Sequence, residues 1–228
     1  MCVTVSVYEF SKVGDMNLYA SLSRKGLVAI VSLFILTLPC FGYAGELNQA
    51  NSVVLVTEFG EIQIELYVEK APLSVDDFLK YVDESLYEGA GFYRVVREDN
   101  DRGEPVIEVV QGGLLDEEST LPPIAHEDTS KTGILHQDGV ISLARGAPGT
   151  GSAAAFFICV GDQPALDFGG LRNSDAQGFA AFGRVVKGME IVRKIHVMPS
   201  DKQVDSDYVM GQILPEPVKI LKAYRYHQ

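Results

Sequence analysis

The chain has 228 residues, 46% of which are hydrophobic, and a formal net charge of −12 at pH 7. This length is enough for one ordinary domain with a substantial core and for a further segment. The excess of acidic residues argues against partners such as nucleic acid and anionic lipid, because an acidic surface repels phosphate groups.

The further segment is at the amino terminus and has the layout of a secretory signal peptide. Arg24 and Lys25 precede an apolar run of roughly a dozen residues, shorter than the about 20 that a membrane-spanning helix needs. Small residues follow around Ala44. We therefore predict a signal peptide over residues 1–44, cleaved after Ala44, and a polar linker over residues 45–52.

Two alternatives for this segment follow from the same residues. Met16 is a possible true start, because residues 16–44 form a complete signal by themselves. Lipidation at Cys40 is another, although the residues before it lack the small side chain expected beside an acylated cysteine. Cleavage predicts a periplasmic protein without stable membrane association, with a net charge of −13. It also leaves Cys159 as the one cysteine, so no internal disulfide is expected.

The region after the linker begins with the pattern of a β-hairpin and an amphipathic helix. Ile62, Ile64 and Leu66 alternate with polar residues after a turn at Phe59-Gly60. Ala71-Pro72 then opens a helix, whose apolar stripe consists of Val75, Phe78, Leu79, Val82 and Leu86.

Short apolar runs bounded by Gly, Pro, Asp or Asn fill the rest of the chain. A second helix is predicted after Gly188, and a last strand is predicted near the carboxyl terminus. Many short strands, two helices and no alternation of strands with helices favour an antiparallel barrel.

The run GFYRVV, residues 91–96, contains an arginine among aromatic and β-branched residues. Side chains alternate between the two faces of a strand, so this run predicts Phe92, Arg94 and Val96 on one face. The strand therefore places Arg94 on one face, and that face contacts either solvent or a groove.

Conventional cofactor and nucleophile motifs are not supported. The loop GAPGTGS, residues 146–152, has the glycine spacing of a phosphate-binding loop but lacks its lysine and precedes a strand. Ser142 has no flanking elbow glycines. The histidines show no metal-ligand spacing with one another or with Cys159, and we predict no cofactor and no metal; they are His126, His136, His196 and His227.

The strand sequences, taken together, resemble those of one known family. FYRVV, VVQGG, GVISLAR, AAFFICV, ALDFGG and FAAFGRVVKGMEIV, in this order and spacing, are similar to the cyclophilin family of peptidyl-prolyl isomerases, especially its exported bacterial members. The resemblance covers about residues 53–226. It implies a mainly all-β domain over residues 53–228, a closed eight-stranded antiparallel β-barrel capped by two helices, with the substrate groove on the barrel's outer face.

The same resemblance implies the activity. The protein is expected to accelerate rotation about X-Pro bonds in unfolded or flexible exported proteins, as a monomer whose partners are proline-containing polypeptides. Arg94 matches the arginine that cyclophilins direct at the prolyl nitrogen, and is expected to be the catalytic residue. Arginine suits this role because it is always charged and presents a rigid fork of donors.

The remaining groove residues are carried over from the family motifs. Gln111 is expected to bind the peptide and steady Arg94, and Phe157 to form the floor under the proline ring. The backbone of Ala144 and Arg145 is expected to hold the residue before proline. Val109, Leu166 and Phe179 are expected to complete the substrate-binding groove.

Several positions depart from the family pattern. Ala155 replaces a glutamine, Ala165 a tryptophan and Phe179 a histidine, and about nine residues are inserted after Arg94. Glu108 falls in the column of a groove phenylalanine if the gap is placed earlier. These departures leave open an alternative function, a non-catalytic chaperone or assembly module that binds proline peptides in the same groove.

Overall fold

The structure is a computed structural model, in which residues 51–116 and 118–226 are described. The predicted signal peptide, the alternative start at Met16 and most of the predicted linker lie outside the described residues. The strands are β1 (Ser52–Thr57), β2 (Gly60–Leu66), β3 (Gly91–Val96), β4 (Val109–Gly113), β5 (Ile124–Ala125), β6 (Val140–Ala144), β7 (Thr150–Cys159), β8 (Ala180–Lys187) and β9 (Ile213–Tyr226). The helices are α1 (Pro72–Asp83), α2 (Thr129–Thr132) and α3 (Met189–His196).

Eight of these strands form a closed antiparallel barrel. Neighbouring strands follow the order β4-β3-β9-β1-β2-β8-β6-β7, and pairing of β4 with β7 closes the ring. The short strand β5 pairs only with the start of β7, outside the ring. The predicted closed eight-stranded barrel is thus confirmed. The two predicted helices are α1 and α3, and the four-residue α2 is additional.

Helix α1 begins where the sequence predicts and ends earlier than its apolar stripe. Pro72 occupies the first turn, where the missing N–H costs no hydrogen bond. The helix ends at Asp83 because Ser85 adopts a left-handed backbone conformation, with φ of 56°. Leu86 therefore packs against the core from the turn after the helix and not from the helix itself.

The barrel interior is filled by side chains centred on Phe156. Its ring makes edge contacts with Phe78, Tyr87 and Phe92, with centroids 5.6 to 5.8 Å apart. The alternating residues predicted for the hairpin face the same core and are fully buried or nearly so. An eight-stranded barrel is just wide enough for such packing, so the interior is a core and not a ligand cavity.

Strand β3 departs from simple alternation at Tyr93. Phe92 pairs with Gly112, and Arg94 pairs with Gln111, the neighbour of Gly112 in β4. Tyr93 is therefore an extra residue in a β-bulge. Phe92 consequently points into the barrel core, whereas Arg94 and Val96 face outward. The prediction that Phe92 shares a face with Arg94 is wrong, because the bulge shifts the side-chain alternation by one residue.

The segment inserted between β3 and β4 is fixed to the loop between β7 and β8 by a buried ion pair. Arg172 donates to both carboxylate oxygens of Asp101 at 2.7 Å, and both side chains are nearly inaccessible to solvent. The same carboxylate accepts the backbone N–H groups of Gly103 and Ile107. Burial alone would raise the pKa of Asp101, but these hydrogen bonds and the nearby guanidinium lower its pKa overall.

Phe156→Ala is expected to lower the free energy of unfolding by about 3–5 kcal/mol, because it removes the ring at the centre of the core and leaves a cavity. Urea unfolding measures this change. Leu221→Ala on β9, where the side chain is 54% exposed, is the control and is expected to change stability by roughly 0.5 kcal/mol or less. Equal effects of the two substitutions would contradict the described core.

Asp101→Asn is expected to cost about 3–5 kcal/mol at pH 7, because it leaves the buried guanidinium of Arg172 without its counter-charge. The stabilisation by Asp101 is complete above the unfolded-state pKa of about 3.9 and is lost as the pH falls through the lowered folded-state pKa. The difference between wild type and variant should therefore shrink below about pH 4.

Urea unfolding between neutral pH and about pH 3 tests this dependence. Asp83→Asn removes the partner of Arg225 in an exposed ion pair and is the matched control, expected to cost about 0–1 kcal/mol. A stability gap for Asp101→Asn that stays constant with pH would show that the carboxylate does not titrate as described.

Candidate active site

A hollow of about 380 Å³ lies on the outer face of the barrel. All eight residues that the sequence assigns to the groove line this one hollow, although they come from six separate parts of the chain. These residues are Arg94, Val109, Gln111, Ala144, Arg145, Phe157, Leu166 and Phe179. Five further lining residues were not predicted, namely Val96, Ile107, Arg172, Asn173 and Tyr208.

The floor of the hollow is an apolar cluster separate from the barrel core. Phe157 and Val109 come from the adjacent strands β7 and β4, and Leu166 comes from the turn that follows β7. The ring of Phe179 meets that of Phe157 edge to face, with centroids 5.2 Å apart and an interplanar angle of 90°. The cluster therefore presents a rigid apolar surface to the outside of the barrel.

The guanidinium of Arg94 is held at the edge of this floor by neutral partners. Pairing of β3 with β4 places Arg94 opposite Gln111, whose Oε1 accepts from Nη1 at 3.0 Å. Gln111 in turn donates from Nε2 to the hydroxyl of Tyr93 at 3.1 Å. Oε1 of Gln212 accepts from both Nε and Nη2 of Arg94, at 2.9 and 2.6 Å.

Arg94 keeps its full positive charge in this setting. Burial lowers the pKa of Arg94, but a guanidinium remains protonated at neutral pH. Of its five N–H groups, three are donated to glutamine oxygens. Within the described part of the chain these hydrogen bonds leave one N–H on each Nη atom for another acceptor, with the centre of the Tyr208 ring 5.6 Å from the guanidinium carbon.

The other two arginines of the hollow are neutralised by carboxylates. Arg145 forms a two-pronged ion pair with Asp175, at 2.7 and 2.9 Å, and Arg172 pairs with Asp101. Within residues 51–116 and 118–226 no comparable carboxylate partner is found for Arg94. Its charge is therefore the one that a ligand in the hollow would meet.

The side chain of Arg145 is occupied by the fold. Besides Asp175, its Nε donates to the carbonyl of Gly178 at 2.7 Å, and its guanidinium lies 5.3 Å from the centre of the Phe179 ring. What the 144–145 step offers to a ligand is thus mainly its backbone. A second hollow, of about 520 Å³, shares these two residues and extends along β7 to Ala155.

Three polar residues behind the floor have the arrangement of a hydrolase triad. Nε2 of His136 is hydrogen-bonded to Ser142 Oγ at 3.0 Å, and the Asp167 carboxylate accepts from Nδ1 at 2.7 Å. The imidazole ring stacks on Phe157. Sequence patterns did not predict this grouping, because the three residues are not spaced as a local motif. Ser142 is fully buried, so no substrate reaches its hydroxyl, and the three residues support the floor.

The insertion changes which residue lines the hollow next to Val109. Glu108 is not among the residues that line the hollow, and its backbone carbonyl accepts the N–H of Val160 at 3.0 Å. Ile107 lines the hollow instead. Glu108, which falls in the column of the groove phenylalanine if the gap is placed earlier, therefore does not line the hollow. In the segment before it, Asp101 accepts the backbone N–H of Ile107.

The described residues contain neither a cluster of metal-ligating side chains nor an exposed cysteine thiol. In the ranges 51–116 and 118–226, no three His, Cys, Asp or Glu side chains lie together as a metal site would require. Cys159 is buried, and this burial raises the pKa of its thiol.

In the ranges 51–116 and 118–226, no helix has the length and apolar character needed to cross a membrane.

Comparison with known proteins agrees with this geometry. The family model described as cyclophilin type peptidyl-prolyl cis-trans isomerase matches residues 52–224. The chain is 34% identical to peptidyl-prolyl cis-trans isomerase A of Dickeya dadantii, over 88% of this chain and 100% of that protein. It is 36% identical to a peptidyl-prolyl cis-trans isomerase of Acinetobacter baylyi, over 75% of this chain and 84% of that one.

A solved structure shares the fold at lower sequence identity. The cyclophilin type isomerase of Cryptosporidium parvum matches with a TM-score of 0.57 and 18% identity, and covers 78% of this chain and 98% of its own. A closed eight-stranded barrel, an outer hollow lined by the residues of the strand motifs, and a family model that spans the described region lead to one assignment. The chain belongs to the cyclophilin family of peptidyl-prolyl cis-trans isomerases, enzymes that accelerate rotation about X-Pro bonds and so assist protein folding.

Proposed function

We propose that this chain acts in the periplasm, as a monomer, on X-Pro bonds of unfolded or flexible exported proteins, and that Arg94 is its catalytic residue. The observation that carries the proposal is the guanidinium of Arg94 at the edge of an apolar floor, held by glutamine side chains and without a carboxylate partner among residues 51–116 and 118–226. The signal-like segment before Ala44 supports the exported location.

Rotation about an X-Pro bond is slow because amide resonance gives the C–N bond partial double-bond character. Uncatalysed exchange takes on the order of tens to hundreds of seconds. In the twisted transition state the nitrogen lone pair is no longer delocalised and accepts a hydrogen bond. A donor aimed at this nitrogen therefore stabilises the transition state more than the ground state, which raises the rate.

The hollow supplies the parts that such catalysis needs. The proline ring would rest on Phe157, with Val109 and Leu166 at its sides, and Phe179 would close the wall. One of the free N–H groups of Arg94 would reach the prolyl nitrogen. The backbone at Ala144 and Arg145 would hold the residue before proline, with preceding residues in the second hollow.

This arrangement fits proline peptides as substrates. A structure of the Cryptosporidium parvum relative was determined in the presence of the dipeptide Ala-Pro. Transferred to this chain, such a dipeptide has a ring of the right character for the apolar floor and a carbonyl for the backbone of the 144–145 step. The reaction is a bond rotation, so the proposed mechanism uses no cofactor, metal or covalent intermediate.

Arg94→Ala is expected to lower kcat/KM for a proline tetrapeptide by on the order of 100-fold, the loss typical when one preorganised donor is removed. NMR exchange spectroscopy or a protease-coupled assay measures this rate. Arg184→Ala, at an exposed strand position on β8, is the matched control and should leave the rate unchanged. If wild type and Arg94→Ala are equally inert but still bind the peptide, the protein is a non-catalytic binding module.

Export is expected to yield a protein that begins at Gly45. The full chain, expressed in a bacterial host, should be recovered from the periplasmic fraction, and mass spectrometry should give the mature amino terminus. A chain that starts at Met16 should be processed identically, whereas one that starts at Gly45 should remain in the cytoplasm. Recovery of the full chain from the cytoplasm with residues 1–44 intact would contradict the proposed location.

A further inference from the structure

Side chains on two sides of the Arg94 guanidinium accept its hydrogen bonds, and only one of these side chains belongs to the strand motifs. Gln111 holds Nη1 from β4, whereas Gln212, just before β9, holds Nε and Nη2. Gln212 lies 118 residues from Arg94 in sequence and is fully buried. It therefore fixes the side of the guanidinium that faces away from the hollow.

Both ends of the Gln212 amide are committed. A guanidinium has no acceptor, so the oxygen must face Arg94, and the Nε2 group donates to the backbone carbonyl of Asn100 at 2.9 Å. The backbone carbonyl of Gln212 also accepts the N–H of Val95 at 2.8 Å. Rotation of the amide would leave buried polar groups without partners, so the oxygen is held toward Arg94.

Asn100 belongs to the inserted segment and is itself firmly held. Its Nδ2 donates to the carbonyls of Val95 and Gly211, at 3.2 and 2.9 Å, and its Oδ1 accepts the N–H of Arg97 at 2.7 Å. On the side facing away from the hollow, the insertion therefore reaches the guanidinium through Gln212. Asn100 supplies the carbonyl that orients it.

The next residue of the insertion acts on the outer side of Arg94. Asp101 anchors Arg172, whose Nη2 donates to the hydroxyl of Tyr208 at 3.2 Å. The guanidinium carbon of Arg94 lies 5.6 Å from the centre of the Tyr208 ring. Two consecutive residues of the insertion thus support contacts on both sides of the same guanidinium.

We propose that Gln212 is a positioning residue for Arg94, and that the insertion containing Asn100 and Asp101 holds the guanidinium in the plane that directs its free N–H groups into the hollow. This inference rests on the proposed function of Arg94. Gln212 does not touch the substrate, because it is buried behind the guanidinium. Its contribution is preorganisation, since a donor already aimed at the reacting nitrogen needs no reorientation during the reaction.

Gln212→Met preserves the side-chain length and removes the acceptor. We expect kcat for a proline tetrapeptide to fall on the order of 10-fold, as a misdirected catalytic group does, while KM changes little. The NMR signal of the Arg94 Nε–H, assigned by its loss in Arg94→Ala, should shift and exchange faster with water. Gln212→Glu keeps an acceptor for Nε and Nη2 and should recover part of kcat.

Gln163→Met is the matched control, because Gln163 is buried like Gln212. Unlike that of Gln212, the side-chain amide of Gln163 bonds only to backbone groups, the N–H of Glu108 and the carbonyl of Val160. Gln163→Met should lower stability similarly and leave kcat and the Arg94 signal unchanged. In an Arg94→Ala background, Gln212→Met should cause no further loss of kcat, because it acts only through Arg94.

The outcomes separate this inference from the proposed function. Full kcat in Gln212→Met, or an equal loss in the Arg94→Ala background, overturns the positioning role while Arg94 remains catalytic. A wild-type protein that does not accelerate exchange refutes the proposed function itself, and with it the positioning role of Gln212.

Discussion

The site depends on a permanently charged guanidinium held at an apolar surface by neutral hydrogen-bond acceptors. Burying a charge is costly unless its donors are satisfied, and hydrogen bonds to charged groups contribute about 1.5–3 kcal/mol each. Gln111 and Gln212 supply three such bonds to Arg94 without cancelling its charge. A carboxylate in either place would bind the guanidinium more tightly and reduce its attraction for an electron pair on a ligand.

The interior of the barrel is filled with side chains, and the candidate site lies on its outer face. Phe156 and its neighbours pack the inside, while β3, β4 and β7 present Arg94, Gln111 and Phe157 side by side outside. The bulge at Tyr93 allows a core residue and an outward arginine to lie two positions apart on one strand. The carboxylates near the hollow form ion pairs with Arg145 and Arg172. These ion pairs hold the walls of the hollow in place.

Much of the fold and of the hollow was predictable from local patterns. Alternation in the hairpin, the Pro72 helix start and the strand motifs all lead to the observed elements, because burial on one face leaves a periodic signal. The resemblance of the motifs to one family identified Arg94, Gln111 and Phe157 together. Their assembly in one hollow was predictable because the motifs lie on strands that pair in the barrel.

The unpredicted features are those without a local signal. The bulge at Tyr93 depends on how β3 pairs with β4, which a single strand does not reveal. Gln212 meets Arg94 across 118 residues, and the Asp101 pair with Arg172 spans 71. Such contacts depend on loops whose paths are set by tertiary structure, and a lone glutamine or aspartate in a polar segment looks like a solvated residue.

The most direct test is a crystal structure of the protein bound to a peptide that contains one Ala-Pro bond. The proposed mechanism predicts the proline ring on Phe157 and an Arg94 Nη atom within about 3.2 Å of the prolyl nitrogen. A peptide bound elsewhere, or a guanidinium turned away from a ring seated in the hollow, would contradict the central role given to Arg94.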